Sequence, residues 1–308
     1  MSKKIIVLTG ATGFLGRAIA ARIQYKELRL ISRRDPKLPN SVFYKASITG
    51  SSSYKSCLTN SDVVIHAAAR VHVMKDMSND PLREYRATNV EGTVNLANQA
   101  AAAGVRRFIY ISSIKVNGDS TTGRLPFKYD DSPSPNGPYA VSKLEAEERL
   151  KEICSGSRME FVIIRPPLIY GCGVKANFSA MMSLARKNLP LPLGGIKNRR
   201  SLVALDNLVA MIEICISHVN AKNQTFLVSD DNDISTSELL RAMTKSYGKN
   251  PCLLAVPAGW IVILGSLFGK KDIVDRLCGD LHVDIEHTKL LLEWEPHVLI
   301  EDVLGELH

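Results

Sequence analysis

The stretch Lys4–Ala20 reads KIIVLTGATGFLGRAIA. Lys4 to Thr9 is a continuous apolar run, which predicts a strand buried on both faces. It runs into Gly10, Gly13 and Gly16, spaced GxxGxxG, and a helical pattern follows from Gly16 to Tyr25. Strand, glycine loop and helix in that order form a dinucleotide fingerprint. The glycines permit a tight turn and a close approach of backbone to a pyrophosphate, whose charge sits at the helix N-terminus. Thr12, Phe14 and Leu15 lie in the same loop and are candidate cofactor contacts.

Outward from this unit the rhythm repeats. Strand patterns fall at Leu28 to Ser32, Asp62 to Ala67, Arg107 to Ser112 and Glu160 to Arg165. Helical patterns fall at Asn89 to Ala103, ending at Gly104, and at Tyr139 to Ile153. Unalternated strands separated by helices predict an α/β fold with a doubly wound parallel sheet. Such a sheet binds ligands beyond the carboxyl ends of its strands. After Gly171 the pattern changes. Asn177 to Lys187 and Ser237 to Tyr247 look helical, as does the region from Ile261. Leu189 to Gly195 is rich in proline and glycine, and Ser201 to Leu205 and Thr225 to Ser229 are strand-like. The expected division is a dinucleotide domain over 1–171 and a smaller, discontinuous substrate domain over 172–308. Segments around 201–229 would return to the first domain.

An arginine after the second strand accommodates a 2′-phosphate, whereas an acid there accepts from a 2′-hydroxyl. Ser32-Arg33-Arg34 therefore favours NADP(H), with NAD(H) the alternative. Tyr139 and Lys143 form YxxxK, with both residues on one helix face. A free phenol titrates near pH 10, and a neighbouring ammonium lowers that value. Tyr139 can then exchange a proton with a substrate oxygen while hydride moves to or from a nicotinamide. Ser112 and Ser113 end the preceding strand and can hold that oxygen.

The 308 residues hold 39 Lys and Arg against 31 Asp and Glu, a net charge of +8. The densest basic clusters are the pairs Arg33-Arg34, Arg106-Arg107, Arg199-Arg200 and Lys270-Lys271, which suit ligand phosphates better than a nucleic-acid track. Arg106-Arg107 and Lys270-Lys271 read as solvated charge. None of the six cysteines has CxxC spacing, so no metal site is expected and the thiols read as reduced, in the cytoplasm. The N-terminus does not read as a signal peptide. Cys252 to Phe268 is too short and too interrupted by Pro257, Gly259 and Gly265 for a comfortable span. It reads as a buried or interfacial helix. His66 reads as a packed residue, Met181-Met182 as helix core, and Glu145, Glu147, Glu148 and Arg149 as a solvated helix face. Arg70 and His72 follow a strand end and are candidate substrate contacts.

Together these features resemble the extended short-chain dehydrogenases that act on nucleotide sugars, a Rossmann-type family. Gly10, Gly13 and Gly16 match its loop. His66 to Ala69 match its cofactor-lining segment, with Ala67, Ala68 and Ala69 as candidate contacts, and Asn89 matches its helix asparagine. Ser112 to Gly118 correspond to its SSxxVYG stretch, with Ser113 at the catalytic position. Arg165-Pro166-Pro167-Leu168-Ile169-Tyr170-Gly171 matches its R-x-x-x-x-Y-G strand end, with Pro166 near the cofactor. The resemblance implies substrate contacts at Asn177, Arg200 and Arg276, and a homodimer. Ile114 and Lys115 stand where the family's 4,6-dehydratases carry Asp-Glu, which argues against dehydration. Asn117 replaces its usual tyrosine, Ser47 its adenine-contacting aspartate, and Glu293 a glycine near Trp294 and Pro296. The favoured expectation is a 4-ketoreductase of a UDP-4-keto-6-deoxy-N-acetylhexosamine in surface-polysaccharide biosynthesis. The alternative is a UDP-glucose or UDP-N-acetylglucosamine 4-epimerase with retained NAD. A non-catalytic dinucleotide sensor is more remote, because Tyr139 and Lys143 are both intact.

Overall fold

The computed structural model describes residues 4–71, 80–174, 177–267, 269 and 271–307. Its main sheet contains β1 (Ile5–Thr9), β2 (Glu27–Ser32), β3 (Ser41–Lys45), β4 (Val63–His66), β5 (Arg107–Ile111) and β6 (Glu160–Arg165). A short pair follows, β7 (Leu168–Tyr170) and β8 (Leu202–Ala204), and then β9 (Gln224–Leu227) rejoins the main sheet. The order is β3-β2-β1-β4-β5-β6-β9, with every pairing parallel. The order reverses at β1, so a crevice opens beyond the carboxyl ends of β1 and β4.

The apolar runs form strands because both faces are covered. Helices Phe14–Arg22 and Leu205–Ser217 lie on one side, contributing Ile19, Leu208, Met211 and Ile212. Helices Gly92–Ala102 and Gly137–Ser155 lie on the other, contributing Leu96, Ala100, Ala146 and Leu150. A third cluster, including Tyr170, Phe178, Met182, Leu202 and Leu240, gathers around β7, β8 and helices Asn177–Lys187, Thr236–Ser246 and Ile300–Gly305.

The boundaries differ from expectation in places. The Tyr139 helix starts two residues earlier, at Gly137, because Pro138 fits a first helical turn. The helix expected from Asn89 is preceded by Pro81–Arg86 and a π-helical turn at Ala87–Glu91. Edge strand β3 went unread because its residues are only half covered and carry no continuous apolar run. Ser201 to Leu205 pairs with β7 in the two-stranded sheet, whereas Thr225 to Ser229 supplies the far edge of the main one.

The solvated reading of Arg106-Arg107 is corrected. Arg107 is fully buried, pairs with Glu160 at 2.6 Å, and donates to the carbonyls of Cys215 (2.7 Å) and His218 (2.9 Å). Arg106 also reaches Glu160, at 3.3 Å, and donates to the Ile216 carbonyl. The two arginines tie the start of β5 to the end of helix Leu205–Ser217, whose final carbonyls otherwise lack donors. Lys270 and the Lys271 side chain lie outside the described residues. Arg107→Ala should lower unfolding stability by about 3 kcal/mol in urea melts. Arg106→Ala, at the more exposed partner, should cost under about 1 kcal/mol.

Candidate active site

The glycine loop is a cradle that side chains would fill. Gly10 turns at φ +78°, and a Cβ there would lie 2.7 Å from the Ala68 nitrogen. A Cβ on Gly16 would lie 2.1 Å from the Gly10 oxygen. The Gly13 N–H donates to that same oxygen at 2.8 Å. Helix Phe14–Arg22 then starts with no side-chain cap and no acid in its first turn. Its N–H groups and the positive end of its dipole suit a pyrophosphate, so the residues present fit a dinucleotide. Thr12 and Gly13 are exposed, Phe14 and Leu15 pack partly on the core, and Ala67, Ala68 and Ala69 are half-buried beside Gly10. Arg33 and Arg34 follow β2 and are exposed, with the Ser32 hydroxyl donating to the Arg34 carbonyl.

A buried chain of hydrogen bonds locks the ends of β1 and β4 together. The Ala68 N–H donates to Thr9 Oγ1 (3.1 Å), which shares a hydrogen bond of 2.6 Å with His66 Nδ1. His66 Nε2 shares another with Thr93 Oγ1 at 2.9 Å. Burial, aided by the Lys143 charge, pushes the His66 imidazolium down to about 3, so the ring is neutral.

Tyr139, Lys143 and Glu147 share one face of helix Gly137–Ser155, at i, i+4 and i+8. Burial pushes the Tyr139 phenol up to about 12, opposed by a hydrogen bond from Ser113, with Tyr85 adding to the rise. Burial pushes the Lys143 ammonium down to about 7 against the pull of Glu147. The Lys143 Nζ donates to the Ile111 carbonyl (2.6 Å) and lies 4.1 Å from the Tyr110 ring centre. Ser113 caps the short helix Ile114–Val116 by accepting from the Lys115 N–H. Pro166 is buried, and its carbonyl accepts from Ile114.

Glu147 is not on a solvated face. It is fully buried, accepts from the Ser112 hydroxyl, and pairs with Arg165 through contacts of 2.6, 3.0 and 3.2 Å. Arg165 Nη1 donates to Asn117 Oδ1 at 2.9 Å, and the Asn117 amide donates to the Lys128 carbonyl at 2.8 Å. This explains the asparagine where the resemblance leads one to expect tyrosine: it supplies an acceptor for a buried guanidinium. Of the other charges on that helix, Glu145 pairs with Arg86, and Arg149 with Glu152.

Asn89 is buried, and its amide is fully engaged with this chain. It accepts from the Arg70 N–H (2.8 Å) and donates to the Arg70 carbonyl (3.1 Å) and Ser142 Oγ (3.0 Å). It thereby joins the loop after β4 to the Tyr139 helix. The Arg70 guanidinium lies 5.6 Å from the Tyr85 ring centre, and Tyr85 meets Tyr139 edge-on at 6.1 Å. Tyr85 was missed, although its i, i+4 spacing with Asn89 is a usable signal. Arg200 and Arg276 meet as well. Arg200 Nη1 donates to the carbonyls of Arg276 (3.0 Å) and Gly279 (3.1 Å) at the end of helix Lys271–Cys278. His72 and the Asn177 side chain lie outside the described residues.

A parallel sheet with a glycine cradle at its switch point, beside serine, tyrosine and lysine, defines a dinucleotide-dependent enzyme of the extended short-chain dehydrogenase class. The chain belongs to the NAD dependent epimerase/dehydratase family, whose model matches residues 6–229. It is 46% identical over 304 residues to a UDP-glucose 4-epimerase of Vibrio cholerae, covering 97% of this chain and 93% of that one. Its fold matches an NAD-bound short-chain dehydrogenase/reductase superfamily protein from Agrobacterium tumefaciens with a TM-score of 0.78 at 21% identity, over 98% and 95% of the two chains. It also matches a UDP-glucose 4-epimerase of Thermotoga maritima solved with UDP-glucose, with a TM-score of 0.76 at 19% identity, over 98% and 96%.

Neutral His66 contributes stability above its unfolded pKa of 6.5, and this is lost as pH falls toward about 3. His66→Gln should flatten the acid limb of the stability curve between pH 6.5 and 3, measured as urea midpoints against the parent. Parallel curves would contradict the buried neutral ring.

Proposed function

We propose that the protein interconverts the C4 epimers of a UDP-hexose with retained NAD. The observation that carries this reading is the 46% identity to the Vibrio cholerae UDP-glucose 4-epimerase across 97% of the chain. The 4-ketoreductase expectation rested on Arg33-Arg34, and the relatives support the epimerase over it. The preference for NADP that came with those arginines has no support among the relatives, one of which carries NAD. An exposed guanidinium contributes little binding energy by itself.

NAD held in the glycine cradle supplies a hydride acceptor at its nicotinamide. The chain's own residues do the rest. Tyr139 Oη takes the proton of the sugar C4 hydroxyl and returns it to the same oxygen after the opposite face has been reduced. The Ser113 hydroxyl holds that oxygen against the phenol. An ammonium at Lys143 and a positive charge beside the phenol bring Tyr139 down from about 12. Each unit is worth about 1.4 kcal/mol of stabilised phenolate. Arg70 and Arg200 are proposed to take substrate, with Arg200 and Arg276 near the diphosphate, where a guanidinium can bind two oxygens. His72 and Asn177 stay in that substrate set by the resemblance. The same proposal includes a homodimer through the Tyr139 helix and a cytoplasmic location, where all six cysteines stay as free thiols.

Purified protein should convert UDP-galactose to UDP-glucose, followed by proton NMR. Tyr139→Phe should slow this by about 10²- to 10⁴-fold. Unchanged activity in that variant would remove Tyr139 from the chemistry. Oxidation of NADPH by a 4-keto sugar nucleotide, with no interconversion, would return the reductase. Denatured protein should release NAD, and Arg33→Ala should change the amount retained by less than about threefold. Release of NADP would reinstate the role first read for Arg33.

A further inference from the structure

Helix Ala258–Leu267 reads AGWIVILGSL and carries no charged residue. Buried helices have such sequences, yet here Trp260 is 63% exposed and Ile263 57%. The exposed apolar surface extends beyond the helix. The Leu254 N–H donates to the Leu191 carbonyl (2.8 Å) and the Gly194 N–H to the Leu254 carbonyl (2.9 Å), so residues 189–195 run alongside 252–257. This brings exposed Leu254 and Leu189 to the same end of the molecule.

Cations gather at the Leu189 end of this surface. Arg186 and Lys187 are exposed at the end of helix Asn177–Lys187, and the Lys249 ammonium reaches the Arg186 carbonyl. Lys245 is exposed one turn before Lys249. The sequence offsets none of them. Seven lysines and arginines lie between Glu160 and Asp206, and five between Glu238 and Asp272, with no acid in either interval.

We propose that this face docks on an anionic lipid bilayer. Trp260 and Ile263 enter the headgroup boundary, and Arg186, Lys187, Lys245 and Lys249 meet lipid phosphates. Tryptophan favours the headgroup level of a bilayer, and basic residues nearby are attracted to anionic lipid. No helix among the described residues is long and apolar enough to cross a membrane, so the contact is peripheral. A second copy of the chain is the poorer occupant. A two-fold interface sets a patch against itself, and here that would bring the cations of the two copies to one interface. Helix Lys271–Cys278 packs on the apolar helix, so the docked face lies one helix away from Arg276 and Arg200.

Fluorescence of the full chain with vesicles tests this. The chain has two tryptophans, and Trp294 is buried, so a change on binding reports Trp260. Vesicles of phosphatidylcholine mixed with phosphatidylglycerol should shift the emission to the blue and carry the protein upward in flotation. Trp260→Ser with Ile263→Ser should abolish both while leaving UDP-sugar turnover unchanged. Lys187→Glu with Lys249→Glu should weaken partitioning by about tenfold or more. Absence of binding would overturn the proposal, as would equal binding to pure phosphatidylcholine. So would a dimer in sedimentation that Trp260→Ser dissolves.

Discussion

The site depends on an ion pair that water cannot reach. Glu147 and Arg165 are both buried, and taking such charges out of water costs several kcal/mol per ion. The pair is tolerable because its remaining capacity is used: Ser112 donates to the carboxylate and Asn117 accepts from the guanidinium. Its contribution is therefore register more than net stability. Glu147 sits one turn beyond Lys143 and two beyond Tyr139, Arg165 ends β6, and Ser112 adjoins Ser113 at the end of β5. One interaction fixes how the helix lies against both strand ends. A slip of that helix by one residue would leave two unpartnered charges in the core.

Asn89 does the corresponding work on the other side. The π-helical turn around it widens the helix, as such turns often do at functional sites. Its amide spans the Arg70 backbone and Ser142. The loop beyond β4 and the Tyr139 helix thus share one connector, and the Thr9–His66–Thr93 chain holds the same strand end to β1. The segment that follows β4 is tied from two directions.

Much of this was legible in sequence, for a physical reason. The glycine loop and the apolar strands are local patterns whose meaning depends on a few neighbouring residues. The charges were less legible. Glu147 and Arg107 have the composition of solvated residues, and only the sheet order shows that each meets an opposite charge indoors. Strand β3 is an edge with weak patterning, and Asn117 makes sense only once Arg165 is beside it. The choice between reductase and epimerase hung on exposed arginines after β2, where one local signal outweighed the rest of the chain. Comparison along nearly the whole length reversed that weight.

Arg107 also imposes an order on synthesis. The acceptors at Cys215 and His218 lie more than a hundred residues downstream, and edge strand β9 comes later still. While the chain leaves the ribosome, the β5 guanidinium can meet Glu160 of β6 but lacks its two carbonyl acceptors until that helix emerges. The main sheet is therefore incomplete until the chain has been made as far as β9. Its last stave arrives after much of the second half has been made, and until then β6 presents an unpaired edge of the kind that invites association with other chains.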